Sequence, residues 1–407
     1  MIHRALQIAA ILIALCADHA FAQQPEPVAT MQLVDGDLVG AGADLLRAKM
    51  PTSQFVMIGE EHGFADSPEI ALALSRAARR LGINHLVLEI GPSTDEIVTA
   101  SLRAGGEEEL AALLAGRPLA VPFVNLAEDA RLADYFIDQS NAIEDPIWGV
   151  DQEFIGAPLI FLERLLELAS SPEAAAAVRS WLDKERQAFA SGELGSIMLM
   201  NAKTDDFAEL AGMFVNSSEA RVLIRGLEES AKIYRLYNSG ANYGSNATRV
   251  ALMRRQFLAA YRASPEPAPR AVFKLGANHV ALGSGTLNTF DLGSLTEGIA
   301  AANGLDVLRI LIFPLEGTQT VVNPAADGAF DTVDFRSTDV ADILESAGIA
   351  EYAIPLDGYA VIPMDTVRAH LEQKGLSELP PDTRFLVLGY DFLITTRRAR
   401  PATPLAH

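Results

Sequence analysis

Cysteine is nearly missing from this chain of 407 residues. The single one, Cys16, lies near the N-terminus. Beyond it there can be no disulfide, no thiolate metal site and no thiol nucleophile. Basic residues are also short: 32 Lys and Arg stand against 53 Asp and Glu, a net charge of −21. A surface this acidic argues against nucleic acid and anionic membrane faces as partners, and fits a neutral or cationic ligand. There is no Gly-x-Ser-x-Gly elbow for a serine nucleophile and no glycine-rich loop that would cradle a phosphate. No solenoid-type repeat is visible.

What is present is a globular composition, 49% apolar with 21% charged, enough to bury a large core. The first 22 residues have the pattern of a signal peptide: His3 and Arg4, an apolar run from Ala5 to Cys16, then Ala20-Phe21-Ala22 before Gln23. The run is too short to span a membrane. Cleavage after Ala22 and a periplasmic or secreted location are the expectation, with residues 23–407 forming one domain and no integral membrane segment left.

Along that domain, Leu38–Met50 has helical spacing. Phe55–Gly59 reads as a buried strand. Ser67-Pro68-Glu69 opens a helix with a capping serine, and Asn84–Ile90 reads as the next strand. Strand, helix, strand predicts a βαβ unit with the two strands as parallel neighbours. Leu126–Ala142 is an amphipathic helix, and Pro146–Asp151 a short strand ending in an acid. Residues 157–262 are helical almost throughout, an insertion in an α/β domain. Sheet signals return at Ala271–Leu275, Val307–Phe313, Tyr359–Ile362 and Phe385–Ile394, with helices at Ser337–Ala347 and Met364–Lys374. Residues 316–407 form a C-terminal extension that carries no interpretable motif. The fold class is α/β: a central, mainly parallel sheet with helices on both sides.

Titratable groups cluster where the strands end. Glu60, His62, Glu89, Asp151 and His279 each sit at or just past the end of an apolar run, where parallel sheets bind ligands. Five histidines remain beyond residue 22, and two of them follow a strand glycine at the same offset: Gly59-Glu60-Glu61-His62 and Gly276-Ala277-Asn278-His279. If the backbone stays extended past Gly59, Glu60 and His62 share a face and Glu61 points away. A histidine beside carboxylates can act as general base on water, with the carboxylate fixing its tautomer. Two histidines with carboxylates can also hold a divalent metal. Arg249, among apolar helix residues, can clamp a substrate or pair with a structural acid.

The two Gly-x-x-His segments and the acid-ended strand at Glu89 resemble a superfamily. It joins erythromycin esterases, ChaN-like haem-binding proteins and the Tiki/TraB proteins. Trp148-Gly149-Val150-Asp151-Gln152 and Arg249-Val250-Ala251-Leu252-Met253 resemble motifs of the esterase branch. The Gly-Glu-x-His spacing is nearer the ChaN-like branch. The resemblance covers roughly residues 50–315. It implies hydrolysis by a His-activated water, with His62, Glu60, Glu89 and His279 as catalytic residues and Asp151 and Arg249 as substrate-binding ones, on a small-molecule or peptide substrate. Its other branches imply haem capture through histidine and tyrosine (Tyr234, Tyr237 or Tyr243), or a metal-dependent hydrolase or protease. The sequence alone names no cofactor.

Overall fold

The computed structural model describes residues 28–117, 119–138, 143, 145–324, 326–372 and 375–405. The expected leader, residues 1–22, lies outside them, as do the ends of the helices expected to reach Ala142 and Lys374.

The centre of the molecule is β3, Ser53–Glu60, in which every residue is buried. A strand covered on both faces must be apolar throughout, and Phe55-Val56-Met57-Ile58 is. Its alternate side chains feed two cores. Val56 and Ile58 pack with Ile70, Leu74 and Phe136 on one side of the sheet. Phe55 and Met57 pack with Met253, Phe257 and Leu292 on the other. Phe55 meets Phe257 and Phe273 edge-on, with ring centroids 5.9 and 5.6 Å away. Such pairs add about 0.5–1.5 kcal/mol beyond their buried area.

Around β3 the described strands are β1 (Ala29–Val34), β2 (Asp37–Val39), β4 (His85–Leu88), β5 (Ile147–Gly149), β6 (Ala271–Gly276), β7 (Asp306–Ile312), β8 (Glu316–Val322), β9 (Phe330–Arg336), β10 (Tyr359–Pro363) and β11 (Phe392–Thr395). Nine form one sheet in the order β2-β1-β10-β11-β7-β3-β6-β4-β5, and β8-β9 form a separate hairpin. From β11 to β5 all neighbours are parallel; β10, β1 and β2 add an antiparallel edge. The sheet is therefore mainly parallel, as expected, and the segment past residue 316 supplies two of its strands.

Four local expectations are corrected. First, β3 and β4 are parallel but not neighbours, because β6 returns from the helical middle and inserts between them. Second, Leu38 and Val39 are strand, not helix. Asp35 and Gly36 both have positive φ and close a two-residue hairpin between β1 and β2, the turn that Asp-Gly favours. The helix begins at Ala41. Third, Ser67 is not a cap; the helix Asp66–Arg79 starts before it. Fourth, Phe385 lies in a helix, Pro381–Gly389. Proline in its first turn and Asp382 behind it are start signals that override the apolar composition, and the strand begins only at Phe392.

Residues 157–263 are helical nearly throughout, in long helices that include Ala157–Leu168, Pro172–Ser191, Ser218–Asn238 and Asn242–Ala263. Ser171 and Ser217 cap two of these helices by accepting from Ala174 N and Ala220 N. Among the described residues no helix is long and apolar enough to cross a membrane.

Candidate active site

Because β3 stays extended to its last residue, Glu60 and the following His62 turn to the same side. His62 Nδ1 lies 2.9 Å from Glu60 Oε1. The same oxygen accepts from Lys274 Nζ at 2.5 Å. Lys274 comes from β6, next to β3, and its ammonium also meets Asp129 Oδ1 at 2.5 Å. The His62 ring stacks on Phe123, centroids 4.2 Å apart, and its side chain keeps 36% of its surface open.

Glu89, just past β4, is the second centre. Its Oε2 accepts from the Gly276 amide at 2.6 Å and lies 3.9 Å from His62 Nε2. Its Oε1 accepts from Arg249 Nη2 at 2.7 Å and lies 3.5 Å from His279 Nε2. Arg249 also grips Asp151 through Nε, at 2.9 Å, and through Nη2. His279 Nδ1 meets Asp291 Oδ2 at 2.8 Å, while the other oxygen of Asp291 caps the helix Leu292–Ala302. Gly276 lets these groups converge: a Cβ there would sit 3.0 Å from His62 Nε2 and 3.3 Å from Glu89 Oε2.

The electrostatics follow from these contacts. Burial alone would raise Glu60, but Lys274 and His62 outweigh it and hold the carboxyl below its ordinary value. An ionised carboxylate only accepts, so Nδ1 of neutral His62 carries the hydrogen and Nε2 is the free lone pair. Burial pushes His62 down; Glu60 and Glu89 prevail and raise it above 6.5. Burial opposes the charge of Glu89 as well, yet His279 and Arg249 hold it well below 4.5. His279, buried between Glu89 and Asp291, is raised to about 10 and is an imidazolium at neutral pH. Asp129 is pushed up to about 6 by burial, with Lys274 opposing. Both Lys274 and Arg249 are engaged by carboxylates, so an anionic substrate finds no spare cation in them.

Beside Glu60, His62 and Glu89, closed by Phe123 and Val124, lies a cavity of about 10 Å³. That is close to the smallest space that admits one water. The loops around it are tied down from far along the chain. Ala402 N donates to Gly63 O at 3.0 Å, and Ala65 N to Arg400 O at 3.0 Å. Ala127 N donates to Thr403 O and Leu405 N to Asn125 O, both at 2.8 Å.

The structure brings together all six residues singled out in the sequence: Glu60, His62, Glu89, His279, Asp151 and Arg249. Asp151 and Arg249, read there as substrate-binding, face each other. Glu61 turns away and accepts from Gln319 at 3.2 Å. Tyr234 stands near Arg249 and bonds to Gln152, while Tyr237 and Tyr243 are 63% and 67% exposed. Glu153, two residues from Asp151, caps the helix Pro92–Leu114, accepting from Ser93 N at 3.2 Å and Thr94 Oγ1 at 2.5 Å. Lys274, Asp129, Asp291 and Phe123 were missed. A lysine inside the wholly buried run Ala271–Gly276 was a signal for the first; Asp129, Asp291 and Phe123 meet their partners only through the fold.

No family model and no curated protein matches the sequence. Solved structures do match the fold. A histidine-to-asparagine mutant of erythromycin esterase EreC in its open conformation superposes with a TM-score of 0.59 at 15% identity, over 91% of this chain and 97% of that one. This is the erythromycin esterase fold. A succinoglycan biosynthesis protein superposes with a TM-score of 0.56 at 10% identity, over 93% and 96% of the two chains. A Bacillus cereus protein gives 0.51 at 12% identity, over 92% and 96%. The fold likeness thus extends well beyond the residues 50–315 that carry the sequence motifs. At these identities it is one of fold, and the chemistry must be argued from the site.

Neither a divalent metal nor a haem, both expected from the resemblance, fits these residues. Among the described residues no group of three or more His, Cys, Asp or Glu side chains is arranged to hold a metal ion. The carboxylates are already turned to other partners: Glu60 Oε1 to Lys274, and Glu89 to Arg249 and Gly276. A haem, like other sizeable ligands, needs a pocket of several hundred Å³, far more than the cavity beside His62 offers.

Proposed function

We propose that this chain is a hydrolase in which His62 activates water against a neutral or cationic ester, lactone or amide. The observation that carries the reading is the Glu60–His62 pair at 2.9 Å, with Nε2 directed across Gly276 toward Glu89 beside a water-sized cavity. That pair is the base and orienter of general-base catalysis. Nε2 of His62 takes a proton from water as the hydroxyl oxygen attacks the carbonyl. The Glu60 carboxylate stabilises the imidazolium that forms. His279, already charged, supports the developing oxyanion or protonates the leaving group. Arg249 and Asp151 hold Glu89 between the two histidines. The acidic surroundings select against anionic substrates.

The erythromycin esterase fold supports the hydrolase class. The N-terminal pattern supports export to the periplasm or beyond, which the N-terminal residue of the protein recovered from its host will test. The function is tested with the purified protein on a panel of neutral and cationic esters, lactones and amides. We expect hydrolysis of at least one class and its loss in His62→Ala. A protein that hydrolyses none of them overturns the reading, as does full activity in His62→Ala.

A further inference from the structure

A lysine in the middle of a sheet is an expensive residue. Lys274 lies in β6, where every residue is buried, and its side chain is 2% exposed. Its register partner on β3 is Ile58, and packing there asks only for another aliphatic side chain. Two further buried charges accompany it, Asp129 and Glu60, with side chains 6% and 4% exposed. Trios of this kind commonly give no more stability than apolar residues of the same size. Fold stability is therefore a poor account of why these three charges lie directly beneath His62.

Their geometry gives a better one. The Lys274 ammonium and His62 Nδ1 address a single atom, Glu60 Oε1, at 2.5 and 2.9 Å. The two nitrogens cannot be further apart than the sum of those distances. Asp129, on the helix Ala127–Asp138, holds the ammonium from the other side at 2.5 Å. The row Asp129, Lys274, Glu60, His62 runs from a fixed helix to the one member that meets solvent. Of the described groups against His62, Glu89 lies 3.9 Å from Nε2 and the Phe123 ring stacks on the imidazole face, where it offers Nδ1 no hydrogen-bond acceptor.

We propose that Lys274, braced by Asp129, is a positioning residue. It pins the Glu60 carboxylate so that Oε1 accepts the Nδ1–H hydrogen bond of His62 and leaves Nε2 as the lone pair on the side of Glu89 and the water-sized cavity. Its catalytic meaning rests on the hydrolase reading above, but its first consequence, the tautomer of His62, does not. Outer contacts of this kind orient histidines in many sites, and loosening them degrades function without removing any reacting group.

The test is the tautomer of neutral His62, read from the ¹⁵N shifts of its ring in full-length protein and assigned with His62→Gln. In the parent the Nδ1–H form should dominate. In Lys274→Met/Asp129→Leu, which replaces two buried charges by apolar groups, the ring should become a mixture with Nε2–H. On any ester the parent hydrolyses, kcat should fall roughly tenfold or more with KM nearly unchanged. Lys274→Arg should restore the Nδ1–H form in large part. An unchanged tautomer in the folded double variant overturns the proposal. Should that variant not fold, Asp129→Asn keeps the side-chain sizes and gives the same reading; no change there overturns it as well. If no protein hydrolyses anything while the tautomer responds, the hydrolase reading fails and the positioning role of Lys274 stands. If hydrolysis occurs and the tautomer does not respond, the reverse holds.

Discussion

Replacing Gly276 by alanine adds one methyl group at the point where His62 and Glu89 come closest. The added carbon would lie 3.0 Å from His62 Nε2, so the neighbour must give by a few tenths of an ångström. The backbone is poorly placed to yield, because the Gly276 amide is bonded to Glu89 at 2.6 Å. The histidine moves instead, sliding on Phe123. Gly276 has φ −56 and ψ 146, which alanine adopts freely. Loss of glycine's freedom in the unfolded chain then stabilises by about 0.4–1 kcal/mol, against an overpacking cost of about 1 kcal/mol beside a partly open ring. The two nearly cancel, so the melting temperature should shift by no more than about 2–4 °C. Activity is more sensitive. A 1 Å misplacement costs about a hundredfold, so a few tenths of an ångström should cost roughly three- to tenfold in kcat/KM. The assay is steady-state hydrolysis of an activated neutral ester beside thermal unfolding of the same sample. An unchanged kcat/KM would refute the placement of Nε2 at the reaction centre. So would a loss matched by the fraction of unfolded protein.

The proposed mechanism needs His62 neutral and His279 charged. It should rise through a pH above 6.5, where His62 loses its proton, and fall again near pH 10, where His279 does; a kcat/KM profile with its lower limb below 6.5 contradicts the Glu60–His62–Glu89 arrangement. Arg249→Met strands the Glu89 and Asp151 carboxylates, at a cost of about 3 kcal/mol, the low end for a broken buried pair because the arginine side chain is 25% exposed. The deficit in thermal stability should shrink as pH falls and the stranded Glu89 carboxylate protonates, and a deficit independent of pH removes the charge argument. Burial raises Glu153 to about 7, above its unfolded value, so its ionisation works against folding as pH rises from about 4 to 7. Glu153→Gln should therefore gain on the parent in melting temperature between pH 5 and 8; a constant difference between the two proteins sinks that reading.

Much of the candidate site's convergence was legible in the sequence because these residues lie at strand ends. A wholly apolar run such as Phe55–Ile58 marks a central strand, and period two then puts Glu60 and His62 on one side. The repeated glycine–histidine offset marked a convergence but not a shared geometry: β3 and β6 are adjacent, yet their glycines are one residue out of step, Gly59 against Leu275 and Glu60 against Gly276, and His279 arrives through the short helix Ala277–Val280 rather than an extended chain. What could not be read is contact between distant segments. Asp129 reaches Lys274 from a helix far away in the chain, and Asp291 looks locally like a helix cap. The order of the strands was misread where β6 inserts late between β3 and β4, since local pattern carries no record of which strand returns to which gap. The Asp35-Gly36 hairpin is different, because its turn signal was present and the apolar spacing of the following helix masked it.

The ties from residues 400–405 to the loops at Gly63–Ala65 and Asn125–Ala127 set an order of events. His62 leaves the ribosome early; Gln319 and Thr320, which donate to His62 O and Gly63 O, leave more than two hundred residues later, and residues 400–405 more than three hundred later. Contacts of such long sequence separation form late in folding. A nascent chain that already carries Glu60, His62, Glu89, Asp151, Arg249 and His279 thus still holds its proposed base on an unfastened loop. A nick or truncation ahead of Arg400 removes none of these six side chains, yet it should behave as a lesion of the proposed active site.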